Sequence, residues 1–169
     1  MNEQHFDFDN RAEGISAFSH LVLDHLVTQL VECHHDSSLL FKVKFILGEL
    51  LNNAVKHSGT SKSVFSLEVH KEHLIITKTD NGQPLSYFTA IASKPNEPLL
   101  ISYDSIHSLY AVFKNEKVEF YNTEVDNTDL YINTLSEHMG LLIITKAASE
   151  FTYSYRQPAN IFTVKLNLG

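Results

Sequence analysis

Apolar residues recur along this chain with two periods, and the switches between them mark out its elements. His5-Phe6-Asp7-Phe8 alternates and predicts a short first strand. Asn10, with Glu13 three residues on, has the form of a capping box. Ile15, Phe18, Val22, Leu26 and Leu30 follow at helical spacing, so a first helix is predicted over 11–33. The polar break His34–Ser38 precedes a second helix over 38–57, where Leu40, Val43, Leu47, Leu51 and Ala54 form one stripe. Glu49, Asn53 and Lys56 fall on its opposite side. Phe41, Phe45 and Ile46 lie near that side too, so this helix is expected to be apolar nearly all round and buried. Gly59 is suited to its C-terminal cap.

Strand periodicity then takes over. Phe65, Leu67 and Val69 alternate, His70–His73 turn the chain, and Leu74–Ile76 return it toward Asp80, where Asn81-Gly82 breaks the strand. Within 83–139, Lys94–Pro98 reads as a loop and 109–121 as a hairpin turning at Lys114–Lys117. The stretch Asp126–Asp129 is polar. A helix is predicted from Gly140 to about Ser149, and a closing hairpin pairs 151–155 with 161–168 through Gln157–Asn160. The order strand, two helices, hairpin, insert, helix, hairpin predicts a two-layer α/β sandwich. Its sheet is expected to be mixed but mostly antiparallel, covered on one face by helices. We expect a single domain over 1–169, with an atypical insert or lid at 83–139 and its hairpin a candidate for partner contact or for lying over a pocket.

Composition narrows the class. The length of 169 residues suffices for one buried core, and 43% hydrophobic with 20% charged residues is ordinary for a globular protein. A formal net charge of −7 disfavours nucleic acid or an anionic membrane as the main partner, since both attract clustered Lys and Arg. Cys33 is the sole cysteine, so no intrachain disulfide forms, and a reducing, cytoplasmic setting is expected. The N-terminus lacks the apolar stretch of a signal peptide, and no segment approaches the ~20 apolar residues of a membrane span.

Three short runs carry chemistry. In Gly48-Glu49-Leu50-Leu51-Asn52-Asn53-Ala54-Val55-Lys56-His57, a carboxylate and a carboxamide stand one helical turn apart on one face. Asn53 offers a neutral oxygen of the kind Mg²⁺ takes in ATP sites, Glu49 could take a proton from an attacking hydroxyl, and Lys56 could meet a phosphate. The same trio equally decorates a solvated helix face. In Thr79-Asp80-Asn81-Gly82, Asp80 could accept from an adenine amine and Gly82 could let the ring approach the backbone, or the run is a plain Asp-Asn-Gly turn. Gly140, before Leu141, could open a helix whose free N–H groups hold phosphate, or simply start a core helix.

Taken together, these runs resemble the superfamily of histidine-kinase-like ATPases, which includes gyrase-type topoisomerases and MutL. GELLNNAVKH is similar to its N box, TDNG to its Asp-x-Gly box and HMGLLII to its second glycine box. The small size and two leading helices look most like anti-sigma-factor serine kinases and stand-alone ATPase domains. The resemblance implies a Bergerat-type ATP-binding fold with ATP and Mg²⁺ as ligands. It implies that Asn53 holds Mg²⁺, Glu49 is the catalytic base and Asp80 reads adenine. Lys56, His57, Gly82, Gly140 and Leu141 would line the nucleotide. The implied function is an ATP-binding regulatory domain, in its most specific form a protein-serine kinase acting on a small regulatory protein; a homodimer stays open. The chain departs from the pattern on the phosphate side. Met139 stands where the second box has its middle position, and His138 replaces that box's first glycine. Pro84 stands where a further glycine is usual, Ile161 precedes Phe162 where a threonine is usual, and no glycine-rich lid appears in 83–139. The alternative is therefore a degenerate interaction module that keeps the fold and binds nucleotide weakly or not at all.

Overall fold

The computed structural model describes residues 3–30, 37–124 and 139–168. Strand β1 (Glu3–Asp9) leads through a 3-10 turn (Ala12–Gly14) into α1 (Ile15–Leu30), followed by α2 (Ser37–His57). Strands β2 (Lys62–Val69) and β3 (His73–Asp80) form a hairpin, and a short α3 (Phe88–Ala92) follows. Then come β4 (Leu99–Tyr103), β5 (His107–Lys114), β6 (Lys117–Glu124), α4 (Met139–Ala147), β7 (Glu150–Arg156) and β8 (Ala159–Asn167). These eight strands join one sheet in the order β1-β2-β3-β8-β7-β6-β5-β4, and every described pairing is antiparallel.

Side-chain alternation assigns the two faces. Leu67, Ile76, Val164, Phe151 and Phe120 sit opposite one another across five neighbouring strands and all point into the core. Against them pack Phe18, Val22 and Leu26 of α1, Val43, Leu47 and Leu51 of α2, and Leu142 and Ile144 of α4. Helix α3 covers the same face, its Phe88 ring standing edge-on to Phe113, Tyr153 and Tyr155. The opposite face carries Thr77, Thr163, Thr152 and Glu119 in one cross-strand row and the stacked rings of Tyr110 and Tyr121. One apolar and one largely polar face is the usual arrangement for an antiparallel sheet covered on one side. The expected two-layer architecture is therefore the observed one.

Four local expectations need correction. Asn10 does not cap α1: its Nδ2 donates to Ser58 Oγ and to the Thr60 carbonyl, both at 2.9 Å, tying the end of β1 to the end of α2. The α-helix itself begins only at Ile15. Helix α2 is not buried all round, because Phe41 is 63% and Phe45 is 45% exposed, their rings tilted against each other with centroids 4.5 Å apart. The hairpin near 109–121 does not lie over a pocket. It is β5–β6, which continues the sheet beyond β7, with β4 as the new edge strand. The strand β4 and the helix α3 were not expected; the polar run 126–129 lies outside the described residues.

The two sides of α2 give a direct comparison. Leu47→Ala, at a fully buried position, is expected to cost about 2–5 kcal/mol, whereas Phe41→Ala should stay within about 0.5 kcal/mol of the parent. Urea unfolding of both variants measures the difference.

Candidate functional site

The site forms where α2 ends. The Ser58 hydroxyl donates to the Ala54 carbonyl at 2.6 Å, and Gly59 adopts φ +67°, the left-handed conformation that stops a helix. The chain leaving β3 then crosses this end so closely that any Cβ on Gly82 would overlap the Ser58 carbonyl. Glycine is required here by a backbone-on-backbone contact, which also fixes how residues 81–87 leave the sheet.

Beneath this crossing the core-facing stripe of β3 changes character. Leu74 and Ile76 are followed on the same face by Lys78 and Asp80, whose side chains are only 3% and 2% exposed. Lys78 Nζ donates to Asp80 Oδ2 and lies 5.0 Å from the centroid of the Phe162 ring. The other oxygen, Asp80 Oδ1, accepts from the Gly82 N–H at 2.9 Å and from Asn160 Nδ2 at 3.0 Å. Asn160 Nδ2 also donates to the Gly82 and Gln83 carbonyls, while its Oδ1 accepts from the Tyr153 hydroxyl at 2.6 Å. That hydroxyl accepts in turn from the Leu85 N–H at 3.2 Å. The network spans β3, β7, β8 and the 81–87 loop. Burial pushes the Lys78 ammonium down from its ordinary value, against the upward pull of Asp80. Burial also pushes the Tyr153 phenol up to about 12.

A cavity of about 260 Å³ opens above the network. Its walls are Asn53 and His57 from α2, Gly140 and Leu141 from the first turn of α4, the 83–87 loop, and Lys78, Asp80, Asn160 and Phe162 from the sheet. Five of the residues singled out from the sequence, namely Asn53, His57, Asp80, Gly140 and Leu141, thus meet at one place. Glu49, Lys56 and Gly82 are not on its walls. Lys56 is exposed. Glu49 is half-buried, with Oε2 where a Cβ on Gly140 would sit, so α2 and α4 pack together through this carboxylate and glycine. Gly82 sits against Ser58. Among the described residues no group of three His, Cys, Asp or Glu side chains is placed to hold a metal ion.

Sequence reading passed over Lys78, Tyr153 and Asn160. A signal for Lys78 did exist: it stands at the next inward position after Leu74 and Ile76, so strict alternation would have buried it beside Asp80. Asn160 gave no such signal, because its role depends on β8 aligning it opposite Asp80.

Three outcomes are expected here. Gly82→Ala should lose about 1–3 kcal/mol, because the colliding atoms are backbone. Asp80→Ala, which strands a buried ammonium, should cost about 3–5 kcal/mol, and Lys78→Met combined with Asp80→Asn should cost less than Asp80→Ala alone; chemical denaturation checks both. Folding favours the neutral phenol of Tyr153, so its contribution is complete below the ordinary tyrosine value of 10 and is lost as pH rises from there toward about 12. Stability measured from pH 9 to 12 should fall less steeply in Tyr153→Phe than in the parent.

No protein-family model matches the sequence, and no curated protein matches it. In three dimensions the chain is similar to the crystal structure of the RsbU and RsbW domains of Rv1364c from Mycobacterium tuberculosis. The two share 13% identity at a TM-score of 0.54, over 99% of this chain and 33% of that one. The chain therefore spans about a third of the length of the structure it matches, and the likeness is one of fold.

Proposed function

We propose that the cavity binds a purine nucleoside triphosphate, ATP on the sequence's resemblance, and that the chain is a nucleotide-binding regulatory domain. The observation that carries this reading is the convergence of Asn53, His57, Asp80, Gly140 and Leu141, from three separate stretches of sequence, on one cavity. The donor set fits the group. Asn53 supplies a neutral amide oxygen of the type that Mg²⁺ accepts beside phosphates and water. The first turn of α4, with Gly140 and Leu141 on the cavity wall, supplies backbone N–H groups suited to phosphate oxygens. Leu85, Leu141 and Phe162 supply apolar wall for a base. Bound Mg-ATP would supply a transferable phosphoryl group.

The finer form of the reading is a protein-serine kinase of the anti-sigma-factor type. It needs Glu49 to accept a proton from a partner hydroxyl, and for that the carboxylate has to swing away from Gly140. Resemblance in fold to a structure containing an RsbW domain agrees with a regulatory role. The interaction-module alternative is favoured by two observations: Asp80 is already engaged by Lys78, and Phe41 and Phe45 form an exposed apolar patch beside Ile143.

Thermal melts with millimolar Mg-ATP and Mg-GTP separate the readings. Ligand at about 100 times its Kd adds ~2.7 kcal/mol to stability, which raises the midpoint by several degrees, and Asn53→Ala should remove most of that rise. No rise with either nucleotide would leave the interaction module.

A further inference from the structure

Lys78 and Asp80 are paired with each other, yet neither is used up, and both lie on the cavity wall. An ammonium has three N–H donors. Lys78 gives one to Asp80 Oδ2, and the Phe162 ring, its centroid 5.0 Å from Nζ, takes up a second side. No other hydrogen-bond acceptor among the described residues engages it. One donor is left over, and at 3% side-chain exposure bulk water does little to satisfy it. On Asp80, Oδ1 accepts from both the Gly82 N–H and Asn160 Nδ2, whereas Oδ2 accepts from Lys78. A carboxylate oxygen has about two lone-pair positions, so one is left on Oδ2. Asn160 and Tyr153 spend their polar atoms on each other, on Asp80 and on the 82–85 backbone. The floor therefore presents one charged donor and one charged acceptor side by side.

Resting on the ATP reading above, we propose that Lys78 is a base-contact residue: its remaining N–H donates directly to ring nitrogen N1 of adenine, while Asp80 Oδ2 accepts from the neighbouring 6-amino group. On the adenine edge these two atoms stand next to each other, an acceptor beside a donor, which is the complement of the floor. Both hydrogen bonds are charge-assisted, and the bond between Lys78 and Asp80 is kept rather than broken. The pairing thus makes a two-pronged reader of the ammonium and the carboxylate instead of taking Asp80 out of use. A 6-oxopurine edge has the same two features, so the assignment to N1 follows from ATP as the ligand. A phosphate is the rival partner for Lys78. Asp80 already balances the ammonium charge, so a neutral ring nitrogen suits the remaining donor better. Phosphates are left to the α4 end of the cavity, at Gly140 and Leu141.

Calorimetric titration of the intact chain with Mg-ATP and with the magnesium complex of 1-deaza-ATP, in which a C–H replaces N1, tests the proposal. The analogue should bind at least about tenfold more weakly, the effect of losing one hydrogen bond to a charged group. In Lys78→Met that ratio should fall to near one. Because Lys78→Met strands the Asp80 carboxylate and can fail to fold, a second measurement uses the parent chain. With Mg-ATP bound, a nuclear Overhauser contact is expected between adenine H2, which neighbours N1, and the ε-methylene protons of Lys78. Equal binding of the two nucleotides to the parent, an unchanged ratio in a folded Lys78→Met, or absence of the Overhauser contact would overturn the role of Lys78 and leave a nucleotide site in place. Binding of neither nucleotide at millimolar concentration would overturn both.

Discussion

A single carboxylate, Asp80, holds together the part of the fold where chemistry can happen. One of its oxygens neutralises Lys78 on its own strand. The other fixes the 81–87 loop through Gly82 and strand β8 through Asn160. Asn160 passes the constraint to Tyr153 on β7, and Tyr153 returns it to the loop at Leu85. Charged groups this deep are tolerated only when paired and hydrogen-bonded, because leaving water costs more than any single contact returns. The network meets that condition by pairing Lys78 with Asp80 and by bonding the other Asp80 oxygen to Gly82 and Asn160.

The same constraint shapes the cavity. Because Gly82 is pressed onto the Ser58 carbonyl, the loop after β3 cannot fall back over the sheet, and space is left between α2, α4 and the strand ends. Contact between Glu49 and Gly140 sets the approach of α4 to α2 on the far side. The two glycines thus act as spacers of opposite kinds: one meets rigid backbone, the other the movable tip of a side chain. A substitution at the first has nowhere to go, whereas at the second the carboxylate can rotate.

The insert illustrates how topology reassigns a segment. Its hairpin joins the sheet through β6, which finds a partner in β7 over only three paired positions, Val118 to Phe120. That short junction is enough to extend the sheet by three strands, since a hairpin with one apolar face gains more by burying Leu109, Ala111 and Val118 against the helices than by lying alone over a pocket. The exposed Phe41 and Phe45 show the converse. Apolar identity does not guarantee burial when no element is there to cover that side of the helix.

Local periodicity determined most of the elements by itself: the strand–helix–helix start, the 62–80 and 150–167 hairpins and the helix from Met139 all follow from repeats of two or three to four residues. So did the three runs that meet at the cavity, because each is read within one turn of helix or one strand end. Only the folded chain decided which of their side chains face one another. Asn160 was recruited to Asp80 by the register of β8 across from it, and Asn10 was diverted from capping its own helix to tying down another, whereas Lys78, two residues from Asp80, was within reach of alternation along β3. Those pairings join residues up to 80 positions apart, and a pattern confined to a window of a few residues carries no information about partners brought in from such a distance.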